Sequence, residues 1–243
     1  MSKTSIVIPC FNEARRLAPE KFKELAADSK AHIVFVDDGS TDGTNDILKE
    51  LIRDIGHSAE LIEMKKNSGK GEAVRTGLLH AIGLGMENIG YIDADMATPT
   101  PDIRHLINCL DDAQTDVALG SRVALLGHKI ERSPWRHYLG RVFATAASLT
   151  LALPVYDTQC GAKFFRVTDN VKAALSTPFV SRWAFDVELI GRLNALAGPS
   201  RIREIPLREW RDQGRSKLSG TAMIFTVFEL IKIRRRLREF DRR

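Results

Sequence analysis

Short, continuous apolar runs alternate with helix-like stretches along the first half of the chain. The apolar runs predict strands because they are brief and rich in β-branched residues. They are Ser5–Pro9, Ile33–Val36, Leu61–Ile62, Ile89–Ile92 and Val117–Leu119. Helices are predicted up to about Ala27, through Leu51, and from Glu72 to about Met86. This alternation is typical of an α/β protein with a mostly parallel sheet that helices cover on both faces.

Polar residues follow the ends of these predicted strands. Asn12 and Glu13 come after the first strand, Asp37 and Asp38 end the second, and Lys70 follows the third. Ligands of parallel sheets bind beyond the carboxyl ends of the strands. The sequence therefore predicts one rim of the sheet that collects acids, a lysine and glycine-bearing turns.

The fourth predicted strand ends in two carboxylates, Asp93 and Asp95, which stand one residue apart. Side chains at positions i and i+2 of an extended segment point to the same side, so both can converge on one hard cation such as Mg²⁺ or Mn²⁺. Phosphate oxygens would complete the coordination of that cation. An isolated pair of this kind is usually two solvated turn residues, so the interpretation depends on the neighbouring motifs.

Dinucleotide and P-loop sites are the competing interpretations of this rim. No Gly-x-Gly-x-x-Gly sequence follows the first strand, and the turn Gly69–Gly71 lacks the spacing of a P-loop. Both classes are therefore disfavoured.

The three cysteines, Cys10, Cys109 and Cys160, are widely spaced and odd in number. This spacing favours a reducing, cytoplasmic compartment over a disulfide framework or a zinc site. The start of the chain runs directly from Met-Ser-Lys into a strand, so no signal peptide is expected. The length of 243 residues suits one α/β domain with a tail.

The net charge of +5 belongs to the end of the chain, because residues 201–243 hold 13 of the 36 Lys and Arg but only 6 of the 31 Asp and Glu. The apolar stretch Leu218–Ile233 leads into Arg234–Arg238, which predicts docking on an anionic membrane surface. No aromatic residues interleave these arginines, so nucleic acid is disfavoured. We therefore expect a domain over 1–217 and a membrane-associating helix or tail over 218–243.

A second stretch has two interpretations that the sequence leaves open. Apolar residues between Trp135 and Leu153 fall largely on one helical face, and no charge occurs between Arg141 and Asp157. The run is too short for a membrane span. It fits core packing and an interfacial helix equally well.

Several ordered motifs together resemble one known family. These are IVIPCFNE, VFVDDGSTDGT, NSGKGEAVRTGL, YIDADMATPTPD and LGSR, and they are similar to the amino-terminal domain of family 2 inverting glycosyltransferases with the GT-A fold. The later stretches DTQCGAKFF, RWAFDVELI and GRSKLSG resemble the polyprenyl-phosphate branch of that family, near dolichyl-phosphate glucosyltransferases and mannose synthases. The resemblance implies a Rossmann-like GT-A sheet and a transferase.

The resemblance also implies roles for individual residues. Asp93 and Asp95 would hold Mg²⁺ or Mn²⁺, Asp95 and Asp157 would be catalytic, and Arg122 and Arg136 would contact the acceptor phosphate. The nucleotide-sugar would be bound by Pro9, Asn12, Glu13, Asp37, Asp38, Lys70, Asp93, Ala94, Arg215 and Lys217.

Two segments of the chain refine these expectations. Mannose synthases of this group have Gln where this chain has Ala97, so the resemblance favours a UDP-glucose donor and leaves two protein ligands for the metal. The polar stretch Gly214–Lys217, between a strand-like Ile202–Trp210 and the tail helix, is expected to be a mobile loop that closes over the diphosphate. Asp186 and Glu188 fit structural ion pairs as well as a site.

The sequence thus predicts a peripheral enzyme at the cytoplasmic face of a membrane that transfers a hexose to a polyprenyl or dolichyl phosphate with inversion. A phosphate monoester acceptor is already an anion near neutral pH and needs no general base. Alternatives that stay open are GDP-mannose as donor, a sugar or small-molecule hydroxyl as acceptor, and a nucleotide-sugar-binding regulator without turnover. A homo-oligomer is also left open.

Overall fold

A computed structural model describes residues 3–131, 134–211 and 220–240 of the chain, without the side chains of 134–137, 139, 220–227 and 239. The strands are β1 Thr4–Cys10, β2 His32–Asp37, β3 Ala59–Glu63, β4 Asn88–Ile92, β5 Val117–Ser121, β6 Lys129–Glu131, β7 Ala162–Arg166, β8 Ile202–Pro206 and β9 Glu209–Arg211. The helices are α1 Pro19–Ser29, α2 Thr44–Ile55, α3 Lys70–Gly83, α4 Thr100–Asn108, α5 Pro134–Leu151, α6 Asp169–Leu175, α7 Phe185–Ala197 and α8 Gly220–Phe240.

The main sheet has seven strands in the order β3-β2-β1-β4-β7-β5-β8. Strand β7 runs antiparallel to both of its neighbours, β4 and β5, while the other pairs are parallel. Strands β6 and β9 form a separate two-stranded sheet. The predicted α/β class with a mostly parallel sheet is therefore confirmed.

Alternate residues of the buried strands face two different cores. Val7, Val34 and Val36 point towards one face, which α3, α5, α6, α7 and α8 cover. Ile8 and Phe35 point towards the other face, which α1, α2 and α4 cover. Burial on both faces explains why these strands are continuously apolar instead of alternating with polar residues.

The five predicted strands are confirmed, and two other predictions need correction. The helix predicted from Glu72 to Met86 begins at Lys70 and ends at Gly83. The strand-like stretch Ile202–Trp210 is divided at Leu207, so that β8 joins the main sheet and β9 joins the small one. Leu207 is buried, and its N–H donates to the carbonyl of Ser121, the last residue of β5, where the pairing of β8 with β5 ends.

Helix α8 packs onto the domain although it lies in the segment predicted as a tail. Leu230, Ile233 and Leu237 are buried in the same core as residues of α5 and α7. The predicted boundary between 217 and 218 lies outside the described residues. Within the described parts of the chain, no helix is both long and apolar enough to span a lipid bilayer.

Close packing of α3 on the sheet depends on Gly77. A Cβ at this position would lie 2.4 Å from Cγ1 of Val7 and 3.0 Å from Cγ2 of Val36. Contacts this short require the helix or the strand to move. Gly77 therefore sets the distance between α3 and the strands β1 and β2.

We expect Gly77→Ala to lower the free energy of unfolding by about 1–3 kcal/mol, as overpacked core substitutions do. The matched control is Gly83→Ala in the same helix, where a Cβ would meet nothing within 4 Å. That change should be neutral or stabilise by up to about 1 kcal/mol, because alanine favours helix over glycine. Urea denaturation measures both, and equal stability of the two variants would contradict the close approach.

Candidate functional site

A cavity of about 390 Å³ opens at the carboxyl ends of β1, β2 and β4. It brings together most of the residues that the sequence predicted for nucleotide-sugar and metal binding. The predicted residues that line it are Pro9, Glu13, Asp38, Lys70, Asp93, Ala94 and Asp95, and Cys10, Phe11, Arg16, Asn67, Ala73 and Trp183 complete the wall.

Asp93 and Asp95 lie in a tight turn directly after β4. The N–H of Met96 donates to the carbonyl of Asp93, and the N–H of Ala97 donates to the Asp95 carboxylate at 3.1 Å. Met96 has a φ of 50°, a left-handed conformation that non-glycine residues rarely adopt. The turn thereby holds both carboxylates towards the cavity.

The charge of Asp93 affects the neighbouring carboxyl group of Asp95. Burial and the negative charge of Asp93 raise the pKa of Asp95 above its ordinary value. Lys70 partly offsets this charge, since its Nζ lies 2.6 Å from Oδ1 of Asp93. Burial disfavours the Lys70 ammonium, but the charges of Asp93 and Asp186 outweigh it and raise the Lys70 pKa.

Asp38 and Asp37 use their carboxylates differently. Asp38 accepts hydrogen bonds from the N–H groups of Ser68 and Gly69, at 2.6 and 2.8 Å, and lines the cavity. Asp37 accepts from the N–H of Ser40 and from Nδ2 of Asn45, both at 3.0 Å. Asp38 therefore holds the loop that precedes Lys70, and Asp37 shapes the turn after β2.

Asn12 and Glu13 lie in the turn after β1. Asn12 has a φ of 53° and its side-chain oxygen accepts from the N–H of Thr41. The Glu13 carboxylate is buried and pairs with Arg16, which also lines the cavity. Asn12 thus joins two loops, whereas Glu13 presents a carboxylate that a neighbouring cation neutralises.

Asp157 forms a buried ion pair with Arg122. Nε and Nη2 of Arg122 donate to the two carboxylate oxygens at 2.7 and 2.8 Å. Burial alone would raise the Asp157 pKa, but the Arg122 charge and its hydrogen bonds hold that pKa well below its usual range. A carboxylate this acidic is a poor general base near neutral pH.

Sequence reasoning missed two residues that hold Asp157 in place. Glu204 of β8 accepts the N–H groups of Tyr156 and Asp157 at 2.7 and 2.6 Å. Arg141 of α5 donates to the Tyr156 carbonyl at 2.9 Å and lies 3.7 Å above the Tyr156 ring. Both residues are distant from the loop in sequence, so no local pattern indicated them.

The remaining predicted residues do not all fall on described parts of the chain. Arg215 and Lys217, with the loop predicted around them, lie outside the described residues, as does the side chain of Arg136 in α5. Asp186 and Glu188 both form buried ion pairs, with Lys163 and Arg192 respectively.

The donor set fits a divalent cation of the Mg²⁺ or Mn²⁺ type. Asp93 and Asp95 are hard oxygen ligands that face one cavity, and their mutual repulsion is the kind that a cation relieves. Burial raises the pKa of the nearby Cys160 thiol to about 12, so it stays protonated and is no ligand near neutral pH. Among the described residues, no cluster of three or more His, Cys, Asp and Glu could hold a metal. Two protein carboxylates alone fit a metal whose other ligands come from phosphate.

The family assignment by motif is confirmed by comparison with known proteins. Residues 5–171 match the model of the glycosyl transferase family 2. This chain belongs to that family of glycosyltransferases.

Several relatives of this chain carry names that are more specific than the family name. A dolichyl-phosphate β-glucosyltransferase of Trichomonas vaginalis is 31% identical over 95% of this chain and 70% of that protein. The enzyme of the same name from Saccharomyces cerevisiae is 32% identical over 88% of this chain and 69% of that protein. The human one is 34% identical over 76% of this chain and 61% of that protein.

Solved structures agree on the fold. Glucosyl-3-phosphoglycerate synthase from Mycobacterium tuberculosis, crystallised with Mn²⁺, UDP and glucosyl-3-phosphoglycerate, superposes with a TM-score of 0.70. The match covers 96% of this chain and 80% of that chain at 18% sequence identity. The GT-A fold that the motifs implied is therefore confirmed.

We expect Asp157→Asn to lower the free energy of unfolding by about 3–5 kcal/mol, because it leaves the Arg122 charge buried without its partner. The control is Glu131→Gln, which removes the partner of Arg211 in an exposed pair and should cost at most about 1 kcal/mol. Chemical denaturation measures both changes. A loss at Asp157 no larger than at Glu131 would show that the Arg122 pair is effectively solvated.

Proposed function

We propose that this protein is a metal-dependent transferase that moves glucose from UDP-glucose to dolichyl phosphate with inversion. The observation that carries the proposal is one cavity of about 390 Å³ in which Asp93, Asp95 and Lys70 lie together with Pro9 and Asp38. The names of the relatives supply the sugar and the acceptor. The donor nucleotide is inferred from the resemblance at Ala97.

The cavity offers the charges that breaking a sugar–phosphate bond requires. Negative charge develops on the leaving diphosphate, and a bound Mg²⁺ or Mn²⁺ supplies electrostatic stabilisation there. Asp93 and Asp95 would hold that ion. Lys70 lies beside Asp93 and would add a positive charge next to the leaving group.

The state of Asp157 favours a phosphate acceptor over a hydroxyl. Because Arg122 keeps Asp157 ionised and engaged, this carboxylate is poorly suited to take a proton from a sugar hydroxyl. A phosphate monoester has a second pKa near ~6 and attacks without losing a proton to the enzyme. Asp157 would then position Arg122, and Arg122 would face the acceptor phosphate.

A membrane-docking surface on α5 and α8 would bring the lipid acceptor to the site. Val142 and Leu149 are exposed on α5, and Phe228 and Ile231 are exposed on α8, which packs against α5. The exposed cations Lys232, Arg234, Arg235 and Arg238 follow on α8. Apolar side chains beside basic ones suit an anionic bilayer surface, where each cation adds about 1 kcal/mol of attraction. The cytoplasmic side of the membrane stays a prediction.

The experiment that tests this function supplies the purified chain with UDP-glucose, GDP-mannose or UDP-N-acetylglucosamine, each with dolichyl phosphate and Mg²⁺. We expect radiolabelled sugar to enter the lipid extract from UDP-glucose alone, and to require the lipid phosphate. Dolichol without phosphate is the control acceptor. Transfer from GDP-mannose, or to a free hydroxyl, would replace the proposal with one of its alternatives.

Asp95→Asn should reduce transfer at least ~100-fold while the protein stays folded, because a site with two protein carboxylates cannot lose one. Asp46→Asn, at an exposed position of α2, is the control. Transfer rates and thermal melting of both variants are measured. Turnover of the Asp95 variant within a few-fold of wild type would contradict the metal assignment.

The double variant Phe228→Ser/Ile231→Ser should bind anionic vesicles at least ~10-fold more weakly, because it removes apolar area from the docking surface. Leu84→Ser, an exposed apolar position at the end of α3, is the control and should bind like wild type. Vesicle co-sedimentation measures binding. Equal sedimentation of all three proteins would place the membrane contact elsewhere.

A further inference from the structure

A buried ion pair lies close to Asp93. It has no role in the proposed reaction. Lys163 of β7 and Asp186 of α7 approach to 2.6 Å, and their side chains are 0% and 6% exposed. Lys163 is the cross-strand neighbour of Tyr91, two residues before Asp93 on β4. The Tyr91 hydroxyl donates to the same oxygen of Asp186. One carboxylate thus joins β4, β7 and α7.

Lys163 also binds the backbone of the segment that contacts Asp93. Its Nζ also donates to the carbonyl of Cys160 at 2.5 Å, which fixes the turn before β7. At the next residue, Gly161, an added Cβ would lie 2.0 Å from Oδ2 of Asp93. The backbone at Gly161 is therefore pressed against one oxygen of Asp93.

The other carboxylate oxygen of Asp93 is also linked to α7, in this case through Lys70. Oδ1 pairs with Lys70, whose ammonium lies 5.8 Å from the centre of the Phe185 ring. Phe185 immediately precedes Asp186 and packs so closely on Gly71 that a Cβ there would lie 2.7 Å away. The Gly161 contact of Asp93 thus comes from the turn that Lys163 and Asp186 hold, and its Lys70 contact comes from α3, which packs against α7 where Phe185 meets Gly71.

We infer that Asp186 is a positioning residue that holds Asp93 in the orientation needed to bind the divalent cation, acting through Lys163 and the Cys160–Gly161 turn. The inference rests on the proposed function. Buried ion pairs add little net stability, because desolvation offsets their attraction. Fixing the direction of a ligand is a role that well-packed apolar side chains in the same space could not fill. Partners that orient metal ligands are worth about 10–100-fold in metal affinity.

The test compares two buried acids of the same helix. Asp186→Asn and Glu188→Gln each remove the charge from a buried ion pair, since Glu188 pairs with Arg192 at 2.5 Å and both are fully buried. Mn²⁺ binding to the full chain is measured by electron paramagnetic resonance without donor. We expect Asp186→Asn to weaken Mn²⁺ binding at least ~10-fold and Glu188→Gln to leave it unchanged. Equal binding by wild type and Asp186→Asn would overturn the inference.

A second variant separates positioning from stability. In Asp186→Asn/Lys163→Met both charges are gone, so the unfolding free energy should recover relative to Asp186→Asn. Mn²⁺ affinity should stay low, because nothing then holds the Cys160 carbonyl. Recovery of Mn²⁺ affinity together with stability would assign Asp186 a structural role only.

Gly161→Ala tests the turn itself and leaves the ion pair of Lys163 and Asp186 intact. Its methyl group would displace Asp93 directly, so Mn²⁺ binding should weaken while Lys163 and Asp186 stay paired. Unchanged Mn²⁺ binding would show that the turn does not orient Asp93 and would overturn the inference. Failure of the proposed function gives a different pattern, because the wild-type chain itself would then neither bind Mn²⁺ nor need it for transfer.

Discussion

Negative charge is concentrated where the parallel strands end, and each carboxylate there needs a counter-charge or amide donors. Asp38 receives two backbone N–H groups, and Asp157 receives the Arg122 guanidinium. Asp186 receives Lys163. Asp93 and Asp95 have Lys70 and Arg16 as neighbouring cations in the cavity, but burial and the charge of Asp93 still raise the Asp95 pKa. Negative charge thus remains in excess along this cavity, where we propose that a cation and a diphosphate bind.

The sequence could predict those parts of the site whose residues stand close together along the chain. The apolar runs of β1, β2 and β4 stop at or shortly before a carboxylate, namely Glu13, Asp37 and Asp93, and parallel topology brings such strand ends together. Strand β7 was not predicted, because its Lys163 looks like a surface residue until Asp186, 23 positions further along, is placed beside it. Glu204 and Arg141 escaped notice for the same reason, since their partners at Tyr156 and Asp157 are distant in sequence.

Helices α5 and α8 show why apolar patterns alone left two interpretations open. Leu230, Ile233 and Leu237 are buried against the domain, while Phe228 and Ile231 of the same helix are exposed. A helix that is apolar nearly all round satisfies the core with one face and leaves the other uncovered. Core packing and an interfacial role are therefore compatible in one element, and the sequence alone could not separate them.

The ion pair of Arg122 and Asp157 is connected to α5, one of the two helices with exposed apolar residues. The backbone N–H groups of Tyr156 and Asp157 donate to Glu204, and Arg141 of α5 donates to the Tyr156 carbonyl in the same loop. The loop that carries Asp157, which we propose lies on the acceptor side, therefore contacts the same helix that exposes Val142 and Leu149. An acceptor with a charged phosphate and a long apolar chain needs both environments close together, a guanidinium for the phosphate and a route to lipid for the chain. A small sugar acceptor would need neither the exposed apolar face nor a neutralised carboxylate, so the coupling of Asp157 to α5 favours the lipid phosphate.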